Sequence, residues 1–167
     1  MSEIWDVYDE DAVPTGRTMK RGVPKAGDYM LAVHVYLYNT KNQFLLQKRS
    51  ANKESHPGEW AVTGGAVLSG ENSLEAAIRE TKEEVGIRLT PEEIRFEGRV
   101  KKQRSFVDIF FAQKAFDISD CVLQKEEVEA VKLVSADEVL KHEQNDRGRS
   151  EEYMSVLRSA MARDLED

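Results

Sequence analysis

The densest group of potentially reactive side chains is a run of acids between Arg79 and Val85. Glu80, Glu83 and Glu84 are separated by three and four positions, so on a helix they project from one face within roughly 6 Å along the axis. Like charges at this spacing cost a helix about a few tenths of a kcal/mol per pair, and a positive counter-charge would offset that cost. Mg²⁺ prefers oxygen ligands and is usually shared with substrate phosphates. The spacing therefore predicts a divalent-metal site.

The residues around these acids decide between a metal site and an ordinary solvated helix face. Taken alone, adjacent glutamates on a helix favour the solvated face. Here Gly64 and Gly65 provide a backbone that metal or phosphate can approach closely, and Glu71 stands at the entry to the helix. Arg79, eight positions further on, can form a bidentate ion pair with Glu71. This arrangement favours a site that is built to hold the acids in place.

Residues 65–87 fit the pattern Gly-x5-Glu-x7-Arg-Glu-U-x-Glu-Glu-x-Gly-U, in which U is a bulky aliphatic residue. The pattern resembles the Nudix box. Its specified positions are occupied here by Gly65, Glu71, Arg79, Glu80, Thr81, Glu83, Glu84, Gly86 and Ile87. Only Thr81 departs from the pattern, and it lies on the apolar stripe of the predicted helix. We expect this departure to affect packing against the sheet and to leave the acids unchanged.

The resemblance implies a Mg²⁺-dependent hydrolase, with Mn²⁺ as an alternative metal, that cleaves the diphosphate linkage of a nucleoside diphosphate-X compound. It also implies roles for individual residues. The metal ligands are Glu80, Glu83 and Glu84, together with the backbone at Gly65, while Glu71 and Arg79 orient the catalytic helix. The base that deprotonates the attacking water is expected to be Glu83 or Glu84.

Glu127 is a second candidate for the base, because family members can also use a glutamate on a later loop. Glu126 and Glu127 directly precede the last predicted strand. An ordinary acidic turn explains this pair equally well, so the choice of base stays open.

Segments outside the box look like the Nudix subgroup that is similar to isopentenyl diphosphate isomerase; they are Trp5–Glu10, Pro14–Arg17, Gln47–Ser50 and Pro57–Trp60. The isomerase requires a reactive cysteine just after the strand at residues 60–63 and histidines for a further metal. This chain has no cysteine there, and Met30 stands where a histidine ligand would fall. Hydrolysis is therefore favoured over isomerisation. A non-catalytic nucleotide-binding module is a third alternative, which the intact set of acids disfavours.

Residues that could select the substrate are less well defined. The aromatic residues at positions 5, 8, 106 and 110 could each stack on a base or belong to the core, and a core position is the better interpretation for an aromatic residue in an alternating strand. Asp108 is considered as a further metal ligand. His34, alone on a predicted strand, is expected to be a hydrogen-bonded core residue.

The predicted elements give an α/β fold. Leu31–Tyr38 and residues 43–47 form a hairpin, and residues 60–63 form a short strand that Gly64 and Gly65 end. The helical period then covers residues 72–85, with a capping box at Asn72 and a C-cap at Gly86. Further strands are predicted at 94–102, 105–116 and 129–134, followed by a short helix capped by Ser135. Together with the resemblance, this order predicts a Nudix-type α/β/α sandwich with a central mixed sheet flanked by helices.

The 167 residues suit a single domain, 1–167, with an N-terminal arm or hairpin at 1–28, the box at 65–87 and a C-terminal helix at 149–165. The formal charge of -7 argues against nucleic acid or an anionic membrane as a partner, but it is compatible with a small-molecule diphosphate that is bound through a divalent metal. A single cysteine, Cys121, excludes an internal disulfide and suits a reducing, cytoplasmic location. A homodimer is left open.

Overall fold

The computed structural model describes residues 3–165, which form a mixed β-sheet between two helical layers. Helix α1 (Ser73–Val85) covers one face, and helices α2 (Ala136–Lys141) and α3 (Glu151–Asp164) cover the other. This confirms the predicted α/β/α arrangement. The strands are β1 (Ile4–Tyr8), β2 (Pro14–Lys20), β3 (Met30–Tyr38), β4 (Phe44–Arg49), β5 (Trp60–Ala61), β6 (Thr63–Ala66), β7 (Ile94–Lys101), β8 (Ser105–Gln113) and β9 (Val128–Val134).

Strand β3 organises the sheet because it pairs on both of its edges. It runs parallel to β8 from Met30 opposite Ser105 to Tyr38 opposite Gln113, and antiparallel to β6. Its pairing with β4 is limited to Tyr38 opposite Phe44. The predicted turn between β3 and β4 is therefore confirmed, but the prediction that the two strands pair along their length is wrong. Strand β4 diverges because β9 and β5 take up its hydrogen-bonding edges.

Gly64 and Gly65 do not end a strand, contrary to the prediction, but form the middle of β6. The predicted strand at 60–63 is instead divided between β5 and β6. The reason is the close approach of β6 to β3. A Cβ at Gly64 would lie 2.5 Å from the Val33 carbonyl oxygen, so only glycine allows this pairing. The glycines thereby place the β6 backbone next to α1.

The N-terminal segment forms an antiparallel hairpin of β1 and β2, separate from the main sheet. Three hydrogen bonds attach it to the loop that precedes α1. The Ser69 amide donates to the Ile4 carbonyl at 2.8 Å, and the Asp6 carboxylate accepts from the Ser69 hydroxyl at 2.7 Å and from the Gly70 amide at 3.1 Å. The hairpin is thus held beside the box.

Helix α1 begins and ends as predicted. Asn72 and Glu75 form a reciprocal capping box, and Gly86 ends the helix with a φ of 76°. Thr81 is fully buried, and its hydroxyl donates to the Ala77 carbonyl at 2.8 Å. The prediction that this departure from the box faces the core is confirmed. None of the helices found between residues 3 and 165 has the length and apolar character needed to cross a membrane.

Candidate active site

Arg79 is the centre of the charged network on α1. Its Nε and Nη2 donate to the two carboxylate oxygens of Glu71 at 2.7 and 2.9 Å, the bidentate pair expected from the sequence. Nη2 also donates to the Ala66 carbonyl at 3.1 Å, and Nη1 donates to Glu80 at 2.5 Å and to Glu83 at 3.2 Å. One guanidinium therefore ties the entry of the helix, strand β6 and two of the acids together.

Glu71 is held as a carboxylate by these contacts. Burial alone would raise its pKa, but the hydrogen bonds from Arg79 and from the Leu68 amide outweigh burial and lower the pKa. Glu71 is thus suited to anchoring the loop and not to exchanging protons.

Glu80 and Glu84 are in the opposite electrostatic situation. Burial and then the adjacent Glu84 carboxylate raise the pKa of Glu80, against the opposing effect of Arg79. Burial also raises the pKa of Glu84, although the Gln47 side chain and the Gly64 amide donate to its Oε1 at 2.9 and 3.3 Å. Two buried carboxylates thus face each other with too little positive charge to compensate them.

Glu83 and Glu127 complete the acids of the site, and both are more exposed than Glu80 and Glu84. The Glu83 side chain is 48% exposed and has Arg79 as its partner. Glu127, on the loop before β9, is ion-paired with Lys53 and contributes to the charge around Glu84. The structure therefore brings the later-loop glutamate to the same place as the box. Neighbouring Glu126 is exposed and takes no part.

The acids open onto a cavity of about 330 Å³. Its wall also contains residues that the sequence pattern did not connect with the box, above all the cations Arg49 and Lys53, which suit an anionic group. Arg49 ends β4, and Lys53 lies on the loop that follows. Both reach the cavity only because β4 pairs with β5 and β9, for which the sequence has no local signal. The full lining is Glu3, Trp5, Arg21, Met30, Arg49, Lys53, Gly64, Gly65, Ala66, Glu80, Glu83, Glu84, Gln124 and Glu127.

The donor set fits a hard divalent cation, although the side chains of residues 3–165 do not form a group of three or more His, Cys, Asp or Glu in ligating geometry. Arg79 holds Glu80 and Glu83 through hydrogen bonds, whereas Gln47 and the Gly64 amide hold Glu84. Two observations support the fit. The buried acids lack positive charge, and a Cβ at Gly65 would lie 1.8 Å from Glu80 Oε2, so only glycine leaves room for that carboxylate. Carboxylate oxygens are the ligands that Mg²⁺ prefers.

Several residues considered from the sequence lie elsewhere. Asp108 is buried, and both of its oxygens accept from Arg99 at 2.6 and 2.9 Å, so the suggestion that it ligates metal is wrong. Tyr8, Phe106 and Phe110 belong to the core. Cys121 packs against that core and is not part of the cavity wall, whereas Trp5 and Met30 are.

Comparisons with known proteins agree with this architecture. Residues 28–154 match the family described as NUDIX domain. The chain is 38% identical to an uncharacterized Nudix hydrolase of Listeria monocytogenes over 139 residues, which cover 82% of each protein. It also superposes on the crystal structure of a Deinococcus radiodurans protein with a TM-score of 0.72 and 20% identity, covering 94% of this chain and 98% of the other. The chain therefore belongs to the Nudix family, and it is an enzyme of the Nudix hydrolase class.

Another relative is the isopentenyl-diphosphate Delta-isomerase of Pectobacterium atrosepticum. It is 32% identical over 138 residues, which cover 80% of this chain and 76% of that enzyme. Both the hydrolase and the isomerase branches are thus represented among the similar proteins, in agreement with the subgroup that the sequence resembles.

Proposed function

We propose that this chain hydrolyses the diphosphate linkage of a nucleoside diphosphate-X compound with Mg²⁺, or alternatively Mn²⁺, as the metal. The main support is the convergence of three groups of residues on one cavity: the acids of α1, the glycines of β6, and the cations Arg49 and Lys53. Carboxylates alone would repel a diphosphate. A cavity with both acids and cations suits a polyanion that is bound together with a divalent metal.

Each residue has a defined part in this proposal. Glu80, Glu83 and Glu84, with the backbone at Gly65, hold the metal, which when bound neutralises diphosphate oxygens and lowers the pKa of a water molecule. Glu71 and Arg79 are positioning residues, because Arg79 fixes α1 against Ala66 on β6. Arg49 and Lys53 bind the diphosphate oxygens that the metal leaves free.

The base that takes the proton from water is Glu83, Glu84 or Glu127. Glu84 is already fixed by Gln47 and the Gly64 amide, which suits a ligand. Glu127 has one partner, Lys53, and stands across the cavity wall from the box. When substrate phosphate binds Lys53, the Glu127 carboxylate is released from its ion pair and can accept a proton. The adjacent Glu126, which is exposed and outside the cavity wall, provides a matched control. We expect Glu127→Gln to lower kcat and Glu126→Gln to leave it unchanged; equal activity of both variants would return the role to Glu83 or Glu84.

Isomerisation is the alternative suggested by the Pectobacterium relative. The cavity wall offers no thiol to such a reaction, because the only cysteine, Cys121, packs against the core. Met30 lines the cavity at the position where the isomerase resemblance would require a histidine. A binding module without turnover is the other alternative. Such a module would not need Glu80 and Glu84, two buried carboxylates that repel each other.

A screen of diphosphate compounds with Mg²⁺ and Mn²⁺ tests the proposal. It should include nucleoside triphosphates, dinucleotides, nucleotide sugars, ADP-ribose and isopentenyl diphosphate, with both products identified. We expect release of orthophosphate or a monophosphate that stops when EDTA removes the metal. Conversion of isopentenyl diphosphate to its isomer would establish the isomerase alternative. Tight binding with no turnover of any compound would contradict hydrolysis and support the module.

A further inference from the structure

The cavity extends from the acids to the N-terminal hairpin. Gly64 contacts Glu84, and from there β6 continues through Ala66, which pairs with Ala32 on β3. Two residues before Ala32, Met30 lines the cavity together with Glu3, Trp5 and Arg21. We call these four residues the hairpin subsite. It lies beyond the proposed diphosphate position and is not explained by bond cleavage.

Three of the four side chains of the hairpin subsite, those of Glu3, Trp5 and Arg21, are linked by direct contacts. The Trp5 indole N–H donates to Glu3 Oε1 at 3.1 Å, and Arg21 Nη1 lies 3.8 Å from the same oxygen. Trp5 is only 7% exposed, whereas the Glu3 and Arg21 side chains are 36% and 57% exposed. The subsite therefore combines a fixed aromatic surface with an acceptor and a donor that solvent can reach.

The subsite is rigidly positioned relative to the acids. The β1 strand that carries Trp5 is bonded through Ile4 and Asp6 to Ser69 and Gly70, immediately before α1. A group bound there is therefore held at a fixed distance from the reacting phosphate, which is how an enzyme selects what is attached to a diphosphate.

The composition of the cavity wall limits what that group can be. Apart from the glycines, only Trp5, Met30 and Ala66 are apolar in the wall, and the other lining side chains are charged or amides. A prenyl chain would bury its methylenes against carboxylates and guanidinium groups and would leave those groups poorly solvated. A nucleobase suits the subsite better, because its flat face packs on an aromatic ring and its edge forms hydrogen bonds.

We infer that the hairpin subsite binds the nucleoside part of the substrate, with the base against Trp5 and Met30 and its polar edge at Glu3 and Arg21. This assignment rests on the proposed function for its role in turnover. It makes Trp5 a specificity-determining residue of the hydrolase, and it places the selection of nucleoside over prenyl diphosphates in the hairpin and not in the box.

Binding is tested first, without turnover. The chain contains two tryptophans, Trp5 and Trp60, so a Trp60→Phe, Glu127→Gln protein, which keeps the proposed metal ligands, reports on Trp5 alone. With Mg²⁺ present, we expect ADP to quench its fluorescence on binding, and inorganic diphosphate and isopentenyl diphosphate to leave the emission unchanged. If ADP binds, as measured by calorimetry, and the emission stays constant, or if isopentenyl diphosphate binds as tightly as ADP, the inference is wrong.

Kinetics then test specificity with the best nucleoside substrate from the screen. Trp5→Ala should raise KM about tenfold and leave kcat within a factor of about two, since base stacking contributes to binding and not to bond cleavage. The control is Ile4→Ala, the exposed neighbour on the same strand, which should change neither value. Unchanged KM in Trp5→Ala would overturn the inference.

Because Trp5 is buried, its removal could unfold the hairpin, and thermal melting will show whether it does. Arg21→Gln provides the independent variant, since its side chain is 57% exposed and lies 3.8 Å from Glu3 without a short hydrogen bond among residues 3–165. This variant should weaken ADP binding several-fold and leave both inorganic diphosphate binding and the melting temperature unchanged. Unaffected ADP binding would contradict the inference. A chain that turns over no compound but shows ADP-dependent quenching would refute the proposed function and retain the subsite.

Discussion

Two groups of buried polar side chains lie on opposite faces of the sheet and differ in how their charges are compensated. The first, which we call the tyrosine cluster, consists of His34, Tyr36, Glu143, Arg149 and Tyr153. Tyr153 Oη lies 2.7 Å from His34 Nδ1 and 2.6 Å from Tyr36 Oη, Tyr36 donates to Glu143 at 2.9 Å, and Arg149 donates to the other Glu143 oxygen at 2.8 Å. Each member has a partner. The prediction that His34 is hydrogen-bonded is therefore confirmed, although its side chain is partly and not fully buried.

Glu80 and Glu84 on α1 are also buried but remain poorly compensated. In the tyrosine cluster, burial lowers the pKa of His34 and raises that of Tyr36, so both stay neutral, and the one full negative charge has a guanidinium beside it. On α1, Glu80 shares Arg79 with Glu71 and Glu83, and the hydrogen-bond partners of Glu84 are the neutral Gln47 side chain and Gly64 amide. A buried polar group whose hydrogen bonds and charges are all compensated stabilises the fold. A buried carboxylate without enough positive charge beside it favours the binding of a cation.

The largest expected effect comes from breaking the tyrosine cluster. Glu143→Ala leaves Arg149, whose side chain is 9% exposed, without its carboxylate, and should lower the free energy of unfolding by about 3–5 kcal/mol. Urea denaturation measures this change. Glu151→Ala, which removes an exposed partner of Arg158, is the control and should cost less than about 1 kcal/mol. Equal losses in the two variants would show that the cluster has no special stabilising role.

The same comparison predicts the reverse pattern on α1. Glu84→Gln keeps an oxygen that can accept from Gln47 and Gly64, but it removes the charge. We expect kcat to fall about a hundredfold or more, equivalent to about 2.7 kcal/mol at the transition state, with no loss of stability. Steady-state kinetics at saturating Mg²⁺ measures this effect. A kcat within a few-fold of the unmodified enzyme would remove Glu84 from the metal site.

Short-range patterns explain why some of this could be predicted from the sequence. The capping box at Asn72, the left-handed Gly86 and the ion pair of Glu71 with Arg79 all depend on residues within one helix and its entry loop. The parallel pairing of β3 with β8 joins residues about 75 positions apart, as for Met30 and Ser105, and no local pattern specifies it. Arg49 and Lys53 depend on such long-range pairing, so they became visible only in the fold. Arg99, the partner of Asp108, is only nine positions away, but the register of β7 and β8 that places the two opposite each other is not specified by a local pattern.

Gly65 provides a smaller test of how closely the sheet supports the acids. A Cβ there would displace the Glu80 carboxylate, and the Mg²⁺ concentration for half-maximal activity should rise about tenfold or more in Gly65→Ala. Gly22→Ala is the control, because its nearest neighbour would be the Lys20 carbonyl at 3.8 Å. If Gly65→Ala needs no more Mg²⁺ than Gly22→Ala does, Glu80 is not a ligand.

The smallest effect concerns the stability of the metal-free protein. Burial raises the pKa of Glu84 to about 7, so the folded protein binds this proton more tightly than the unfolded chain does. The resulting stability is present at acidic pH and is lost as the pH rises through the folded-state pKa. The Glu84→Gln side chain stays neutral at every pH, so the variant does not lose this stability as the pH rises. In EDTA, the variant should therefore match the unmodified protein near pH 5 and exceed it near pH 8, by on the order of 1 kcal/mol, since one pKa unit corresponds to about 1.4 kcal/mol.

Thermal melting across this pH range, with and without Mg²⁺, measures the difference. Saturating Mg²⁺ should make the unmodified protein the more stable of the two at pH 8. The metal binds the Glu84 carboxylate more tightly than the glutamine amide, so it stabilises the unmodified protein more than the variant. The matched change in the tyrosine cluster, Glu143→Gln, should lower stability at both pH values and show no response to Mg²⁺. If Glu84→Gln behaves in the same way as Glu143→Gln, the carboxylates of α1 have a structural role. The difference in charge compensation between the two faces of the sheet would then not identify a metal site.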